Sequence, residues 1–248
     1  MKHGKNYRNA RAQIDREQLY SPAEAIRMLK GFPAAKFDET IEAHFNLGLN
    51  VRHAEQQLRG TLMLPHGTGR ESRVAVFAEG EKAREAQDAG ADVVGTNDLA
   101  TKIEEGFDDF DVAIATPDQM SVVGKLGRIL GPRGKMPNPK TGTVTMDVAK
   151  AVQEAKAGKL EYRTDRGANV HVAIGKKSFG ERQLLENYAM LIDEIVRAKP
   201  SAAKGRYIKT VTLASTIGPG IHVDPARTRG ITEESAEAAS REEATVNA

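Results

Sequence analysis

The chain has 248 residues, a formal net charge of +2 and no cysteine, and 40% of its residues are hydrophobic. This length favours one or two globular domains with buried cores, and the lack of cysteine excludes a disulfide framework, a thiolate nucleophile and a cysteine zinc site. No apolar run approaches the roughly 20 residues that span a bilayer, and no signal-peptide core follows the amino terminus. We expect a cytoplasmic protein without a membrane partner.

Charge is segregated along the chain. Residues 1–30 carry seven basic and three acidic side chains, residues 119–142 carry five basic and no acidic ones, and residues 71–118 carry thirteen acidic and four basic ones. A partner meets these local fields rather than the net charge. Residues 230–248 are rich in glutamate and poor in apolar side chains, which predicts a disordered acidic tail.

The first elements are a capped helix and an alternating strand. In SPAEAIRMLKGFP, Ser21 and Glu24 form a capping box and Gly31 ends the helix. From Thr40 to Val51 apolar and polar residues alternate, which predicts a strand with one buried and one polar face. The turn-rich PHGTGR at residues 65–70 then interrupts the pattern.

Short apolar strands and short helices alternate in the middle of the chain. The pattern predicts strands at 74–78, 92–94 and 111–115, helices at 81–89 and 98–105, a strand ending at Val144, and a helix from Asp147 to Ala157. Such alternation is typical of a parallel sheet with right-handed helical crossovers.

Residues 160–214 resemble a partner for the first sixty residues. They supply a strand at 170–174, a capping box of Ser178 and Glu181, a long helix with one apolar stripe, and a strand at 207–213. The order predicts an α/β protein in which one α+β domain is interrupted by a complete second domain, with chain crossings near 65–70 and 157–160.

Catalytic signatures are weak. A phosphate-binding loop of an NTPase would need glycine where Ile129 stands and a hydroxyl where Met136 stands, and no dinucleotide-binding glycine pattern follows the strand at 74–78. The six histidines lack the spacing of a helical metal site, and no carboxylate pair suggests acid–base catalysis. We therefore expect no enzyme, catalytic residue, metal or cofactor, and keep a nucleotide-binding α/β enzyme as the alternative.

The stretch GKLGRILGPRGKMPNPKTG at 124–142 is glycine-rich and basic. Glycine lets main-chain N–H groups approach an anion and lysine or arginine neutralises phosphate, but a scaffold loop covering the edge of the sheet would have the same composition. Polar strand faces beside KFDETIEAH, AIGKKSFG and LASTIGPG favour RNA, whose minor groove presents 2′-hydroxyls to small polar side chains.

Four segments carry a resemblance to a known family. KFDETIE at 36–42, GKLGRILGPRGKMPNPKTGTV at 124–144, EYRTDRGANVHVAIGKKSF from 161 and TLASTIGPG at 212–220 are similar to signature segments of the L-one family of large-subunit ribosomal proteins. The resemblance implies a split α+β, ferredoxin-like RNA-binding domain (1–66 and 159–229), an inserted Rossmann-like three-layer α/β domain (67–158), and the tail (230–248).

The resemblance also implies partners and contacts. The partners would be large-subunit rRNA at the mobile stalk beside the exit site, the large ribosomal subunit, exit-site tRNA and the mRNA of the protein's own operon. The implied rRNA contacts are Lys36, Phe37, Thr40, Glu42, His171, Lys176, Lys177, Ser178, Lys204, Arg206, Ser215, Thr216, Gly218 and Pro219. A secondary basic loop, for tRNA or rRNA, would comprise Lys125, Arg128, Arg133, Lys135 and Lys140.

Overall fold

The computed structural model describes residues 4–33 and 35–226, and the predicted acidic tail at 230–248 lies outside them. The strands are β1 (Thr40–Leu47), β2 (Arg59–Met63), β3 (Val74–Phe77), β4 (Val93–Gly95), β5 (Val112–Ala115), β6 (Lys159–Arg163), β7 (Asn169–Lys176), β8 (Ile208–Ser215) and β9 (Ile221–Val223). The α-helices are α1 (Lys5–Ala12), α2 (Pro22–Gly31), α3 (Glu81–Asp88), α4 (Asn97–Glu104), α5 (Met120–Val123), α6 (Gly127–Leu130), α7 (Val148–Lys156) and α8 (Glu181–Arg197).

The chain divides into two compact units. The first combines the residues up to Gly69 with those from Tyr162 onward, and the second comprises Arg70–Glu161. The sequence predicted boundaries at 66/67 and 158/159. The observed divisions, at 69/70 and 161/162, each fall three residues later. Among the described helices, none is long and apolar enough to cross a bilayer.

A four-stranded antiparallel sheet organises the first unit, in the order β7-β1-β8-β9. Alternate residues of β1 are buried from Ile41 to Leu47, and among them Phe45 stacks on Tyr188 of α8 with ring centroids 6.3 Å apart. The intervening polar residues of β1 stay partly exposed. The strand ends at Leu47, earlier than the predicted Val51, and its register with β8 shifts between Asn46 and Leu47. The next residue, Gly48, lies too close to the Arg206 carbonyl for a side chain.

The helix caps of the first unit confirm one prediction and correct another. Glu24 donates its main-chain N–H to the Ser21 hydroxyl at 3.2 Å, and the Ser21 N–H donates to the Glu24 carboxylate at 2.9 Å, as the capping box requires. The capping box predicted at Ser178 is wrong. Helix α8 begins after Gly180, whose N–H donates to the Gln183 side chain at 3.0 Å. The predicted apolar stripe of α8 is buried.

The second unit contains a three-stranded parallel sheet in the order β4-β3-β5. Val74 and Val76 of β3 pack in a cluster with buried residues of α3 and α7, while Ala75 and Phe77 pack in another with residues of α4, α5 and α6. Helices therefore cover both faces of the sheet. The strand predicted to end at Val144 is reduced to an isolated parallel bridge with Ala115.

The basic stretch at 124–142 is partly helical, which corrects the expectation of a loop. Residues 124–130 continue α5 through a 3-10 turn into α6, and Leu126 and Leu130 are fully buried in the core of the second unit. Apolar side chains at this spacing anchor the helical turns despite their glycines. The loop proper begins after Leu130 and is closed by Asn138, which accepts the Lys140 N–H at 2.8 Å.

Candidate nucleic-acid interface

One end of the polar sheet face carries a cluster of two threonines and a lysine, here called the threonine cluster: Thr40, Lys176 and Thr216. The Lys176 ammonium donates to the Thr40 hydroxyl at 2.8 Å. The Thr40 N–H donates to the Thr216 hydroxyl at 3.0 Å, and the Thr216 N–H donates to the Thr40 carbonyl at 3.1 Å. Pairing of β1 with β7 and extension of the β8 hydrogen bonding thus place a cation and two hydroxyls side by side at the surface.

Two histidines occupy the middle of the same face. His44 and His171 are directly opposed across β1 and β7, and their Nδ1 atoms are 2.9 Å apart. Burial and the neighbouring His171 lower the pKa of His44, against an opposing effect of Glu42, whose carboxylate is 3.8 Å from the His44 ring. His171 also lies 3.7 Å from Asp165. Because one hydrogen joins the two Nδ1 atoms, each ring fixes the orientation of the other.

Further polar pairs extend this face in both directions. Asn46 donates from its amide to the Asn169 side chain at 2.7 Å. Thr212 and His222 lie within hydrogen-bonding distance, 3.2 Å, on β8 and β9. The sheet therefore offers a continuous surface of hydroxyl, amide and imidazole groups rather than an apolar face, a composition suited to the 2′-hydroxyls and phosphates of RNA.

A buried carboxylate, which the sequence analysis did not select, anchors the end of this surface. Glu39 is 2% exposed and accepts the N–H groups of Ala35 at 3.1 Å and Ile217 at 3.2 Å. Burial raises the pKa of Glu39, but the hydrogen bonds from Ser215, Ile217 and Ala35 and the charge of Lys177, 3.8 Å away, outweigh it and hold the pKa below its ordinary value. One carboxylate thus joins the segment before β1 to the segment after β8.

Two large apolar side chains are exposed to solvent beside the threonine cluster, in the segments that Glu39 joins. Phe37 and Ile217 are each 54% exposed, and Lys36 is exposed as well. Gly218 permits the tight turn after Ile217, because a side chain there would collide with the Ser215 hydroxyl, and Pro219 is buried. Phe37 and Ile217 are thus the apolar groups that a partner of the threonine cluster would meet at its rim.

Three of the residues predicted to contact rRNA have internal roles. The Lys177 ammonium, 10% exposed, donates to the Phe32 carbonyl at 2.7 Å. The Ser178 hydroxyl donates to Asp38 at 2.6 Å. Ser215 is buried and bonded to Glu39. All three groups thus make bonds within the protein, and of the three Ser178 remains exposed.

The remaining predicted residues are accessible. Glu42 retains 45% of its side-chain exposure on the polar face. Lys204 is exposed in the segment before β8, and Arg206, also exposed, donates from Nε to the Ile208 carbonyl at 3.2 Å. Both cations precede β8, whereas Thr216 follows its other end.

The five cations of the basic loop divide into two groups. Lys125, Arg128 and Lys140 are exposed. By contrast, the Lys135 ammonium is bonded to the Asp108 carboxylate and the Phe110 carbonyl, both at 2.6 Å, and lies 4.8 Å from the centre of the Phe110 ring. Hydrogen bonding and charge from Lys135, with a contribution from Arg133 at 3.2 Å, lower the pKa of Asp108. Lys135 is thereby held by bonds within the second unit, while Arg133 remains exposed and makes a surface ion pair.

The second unit does not favour the alternative of a nucleotide-binding enzyme. Ligands of parallel α/β sheets bind at the carboxyl ends of the strands. There the chain places Glu79 after β3, Asp98 after β4 and Asp118 after β5, and each would repel a phosphate. No cluster of metal-ligating side chains occurs in the described ranges.

Comparison with known proteins agrees with the resemblance. Residues 29–219 match the model of the ribosomal protein L1p/L10e family. The chain belongs to this family. Its relatives include large ribosomal subunit protein uL1 of Thermobifida fusca, 60% identical over 92% of this chain and 97% of the relative. The protein of the same name from Rubrobacter xylanophilus is 61% identical over 90% of this chain and 97% of the relative. That of Frankia alni is 58% identical over 95% of this chain and 99% of the relative.

Membership of the L1p/L10e family settles the question of enzymatic activity. The family consists of structural ribosomal proteins, so this chain is not an enzyme, as the absence of catalytic signatures in the sequence predicted. The family match spans the segments that carry Glu39, the threonine cluster and the basic loop.

Proposed function

We propose that this chain is a constituent of the large ribosomal subunit that binds large-subunit rRNA through the polar sheet face of its first unit. The names of the relatives and the family support the ribosomal assignment. The observation that carries the RNA site is the threonine cluster, flanked by half-exposed Phe37 and Ile217 and anchored by buried Glu39.

The chemistry of this site fits the sugar edge of structured RNA. The hydroxyls of Thr40 and Thr216 can each donate to and accept from a ribose 2′-hydroxyl, and Phe37 can pack on a ribose or base. The ammonium groups of Lys36 and Lys176 lie where they can neutralise phosphates. Hydrogen bonds of this kind tell RNA from DNA, because DNA lacks the 2′-hydroxyl.

The place of this interaction on the ribosome follows from the family resemblance. In the proposal the rRNA site is the base of the mobile stalk beside the exit site, and the protein assists release of deacylated tRNA. The exposed Lys125, Arg128 and Lys140 of the second unit would contact tRNA or rRNA in some positions of the stalk. Binding to a similar structure in the mRNA of its own operon would repress translation of that operon in the cytoplasm.

Binding to a transcribed fragment of the rRNA stalk base tests the site. At fixed salt, Phe37→Ala and Thr216→Val should each weaken binding by roughly 5- to 150-fold, since a desolvated contact contributes about 1–3 kcal/mol. Lys140→Ala, an exposed cation of the second unit, is the control and should change affinity only slightly. Equal losses from all three variants would contradict placement of the principal site on the first unit.

A further inference from the structure

An open cavity of about 710 Å³ lies at the end of the polar sheet face opposite the threonine cluster. Its lining comes from the segment after β1, from the last residue of β6 and from the turn between β6 and β7. It includes three exposed arginines: Arg52, Arg163 and Arg166. We call this cavity the arginine pocket. The family resemblance assigned no residue of the pocket to RNA binding.

The pocket is strongly electropositive because its cations are not neutralised within the protein. Across the part of the chain that the structure describes, none of the three guanidinium groups takes part in an ion pair or side-chain hydrogen bond. The single carboxylate in the lining, Asp165, accepts the N–H groups of Gly167 at 2.8 Å and Asn169 at 2.7 Å, and these bonds, led by Asn169, lower its pKa. Asp165 therefore stays ionised, and the lining carries three positive charges against one negative charge, with the arginines facing solvent.

Hydrogen bonds hold both walls of the pocket in place. Thr164 is buried, its N–H donates to the Leu58 carbonyl at 3.0 Å, and its hydroxyl accepts the Leu58 N–H at 3.2 Å. Gln57 donates from its side chain to the Val51 carbonyl at 2.9 Å. The segment carrying Arg52 is thereby fastened to the turn carrying the other two arginines, so their approach to a ligand costs less ordering entropy than it would on a mobile loop.

The pocket continues the polar sheet face. Asp165 reaches His171 in the middle of the face, and Asn169, bonded to Asp165, also accepts from Asn46 near the end of β1. The seven residue steps from Thr40 to Leu47 correspond to about 24 Å of strand. The threonine cluster and the arginine pocket thus lie at opposite ends of one surface of that length.

We propose that the arginine pocket binds backbone phosphates of the same rRNA molecule, at a segment remote from the one that contacts the threonine cluster. Guanidinium groups bind phosphate through paired N–H donors, and three of them around one open cavity suit adjacent phosphates rather than a single small anion. This inference rests on the proposed function, because it requires that the polar sheet face bind RNA.

Fluorescence anisotropy with a labelled transcript of the stalk base, measured from 0.1 to 0.5 M KCl, tests the inference in the full chain. The variant replaces the three pocket arginines with glutamine. A matched control replaces three exposed arginines outside the polar face, Arg27 on α2, Arg84 on α3 and Arg197 on α8, so that both variants lose the same charge. Far-UV circular dichroism and thermal unfolding verify that both are folded.

The expected result follows from counterion release. Each lost phosphate contact lowers the slope of log K against log salt by about 0.7–0.9, so the pocket variant should lose about 2–3 in slope and, at 0.15 M salt, on the order of 100-fold in affinity. The control should keep nearly the wild-type slope. A triple arginine-to-lysine variant retains the charges and should recover most of the slope, which separates phosphate contact from damage to the turn.

The outcomes separate the inference from the proposed function. If the pocket variant behaves like the control while Phe37→Ala still loses affinity, the arginine pocket is not an RNA site and the proposed function stands. If the wild-type chain itself fails to bind the transcript, both are wrong. Recovery of slope with lysine, together with loss with glutamine, supports the inference.

Discussion

Replacement of Glu39 by glutamine should destabilise the first unit and loosen its RNA-binding edge. The substitution preserves shape and removes the charge. Glu39 offers two carboxylate oxygens, one to the Ala35 N–H and the other to the Ile217 N–H. Glutamine offers one oxygen and one NH₂ group, so one of these two N–H donors must face another donor.

The magnitude can be worked out from these contacts. A buried donor left without an acceptor costs about 1–3 kcal/mol. Lys177 loses its opposite charge, but its ammonium keeps the Phe32 carbonyl at 2.7 Å, which limits that part of the cost to about 1 kcal/mol. The free energy of unfolding should therefore fall by about 3 kcal/mol, equivalent to a melting temperature lower by roughly 6–12 °C for a unit of this size.

Tyrosine supplies a probe that is confined to the first unit. All five tyrosines of the chain, at 7, 20, 162, 188 and 207, belong to that unit, and the sequence contains no tryptophan. Urea unfolding followed by tyrosine fluorescence therefore reports its stability without interference from the second unit. Glu55→Gln, an exposed glutamate of the same unit, is the control and should change the unfolding free energy by less than about 0.5 kcal/mol.

The pH dependence of the effect provides a second criterion. Because the pKa of Glu39 is lower in the folded unit than its ordinary value of 4.5, its stabilising effect is complete above that value and is lost as the pH falls through the folded pKa. The gap between wild type and Glu39→Gln should narrow accordingly in acid. Equal stabilities at pH 7, or a gap that persists unchanged in acid, would refute the assignment of Glu39 as a charged anchor.

Two further predictions concern the basic loop and the histidine pair. Lys135→Gln should lower the melting temperature of the second unit by several degrees, because it removes the bonds to Asp108 and Phe110. Lys125→Gln, which changes an exposed side chain, should leave the melting temperature unchanged. Equal effects of the two substitutions, measured by circular dichroism, would contradict the division of the loop cations. Since burial and His171 lower the pKa of His44, the folded state resists protonation and loses stability as the pH falls below about 6.5. A His44→Gln variant should therefore lose less stability than wild type between pH 7.5 and 5.5 in urea titrations, and a parallel loss would contradict this.

The sequence predicted those elements whose signals are local. The capping box at Ser21, the alternation of β1 and the apolar stripe of α8 each depend on residues a few positions apart, and the structure confirms them. The helical turns at 124–130 were missed, because glycine and charge dominate their composition. Their buried side chains, Leu126 and Leu130, are decided by packing in the second unit. Tertiary packing overrides local propensity at such positions.

The alternating pattern of the strands could have predicted that Glu39 and Ser215 are buried. Glu39 has the same parity as buried Ile41 and Ala43, and Ser215 has the same parity as buried Leu213, so alternation alone places both side chains on the inward side. Glu39 was not selected because charged residues are rarely buried unless paired, and Ser215 was assigned to rRNA contact instead. The partners come from segments more than 170 residues apart, and no local pattern reveals that meeting.

The proposed interface for a polyanion also contains carboxylates of the protein, which would repel phosphate unless they are engaged elsewhere. Asp38 binds Ser178, Glu39 binds the main chain at Ala35 and Ile217, and Asp165 folds the turn beside the arginine pocket. In each case the carboxylate accepts N–H or O–H donors of the protein, so its negative charge serves to fix loops that carry the proposed RNA-binding groups.

Glu42 is different, because its carboxylate remains 45% exposed in the centre of the polar sheet face. A phosphate would be repelled there, whereas a ribose hydroxyl or a base amino group could donate to it. The distribution of charge therefore favours an RNA whose sugar edge lies over the middle of the sheet, while its phosphates reach the threonine cluster at one end and the arginine pocket at the other.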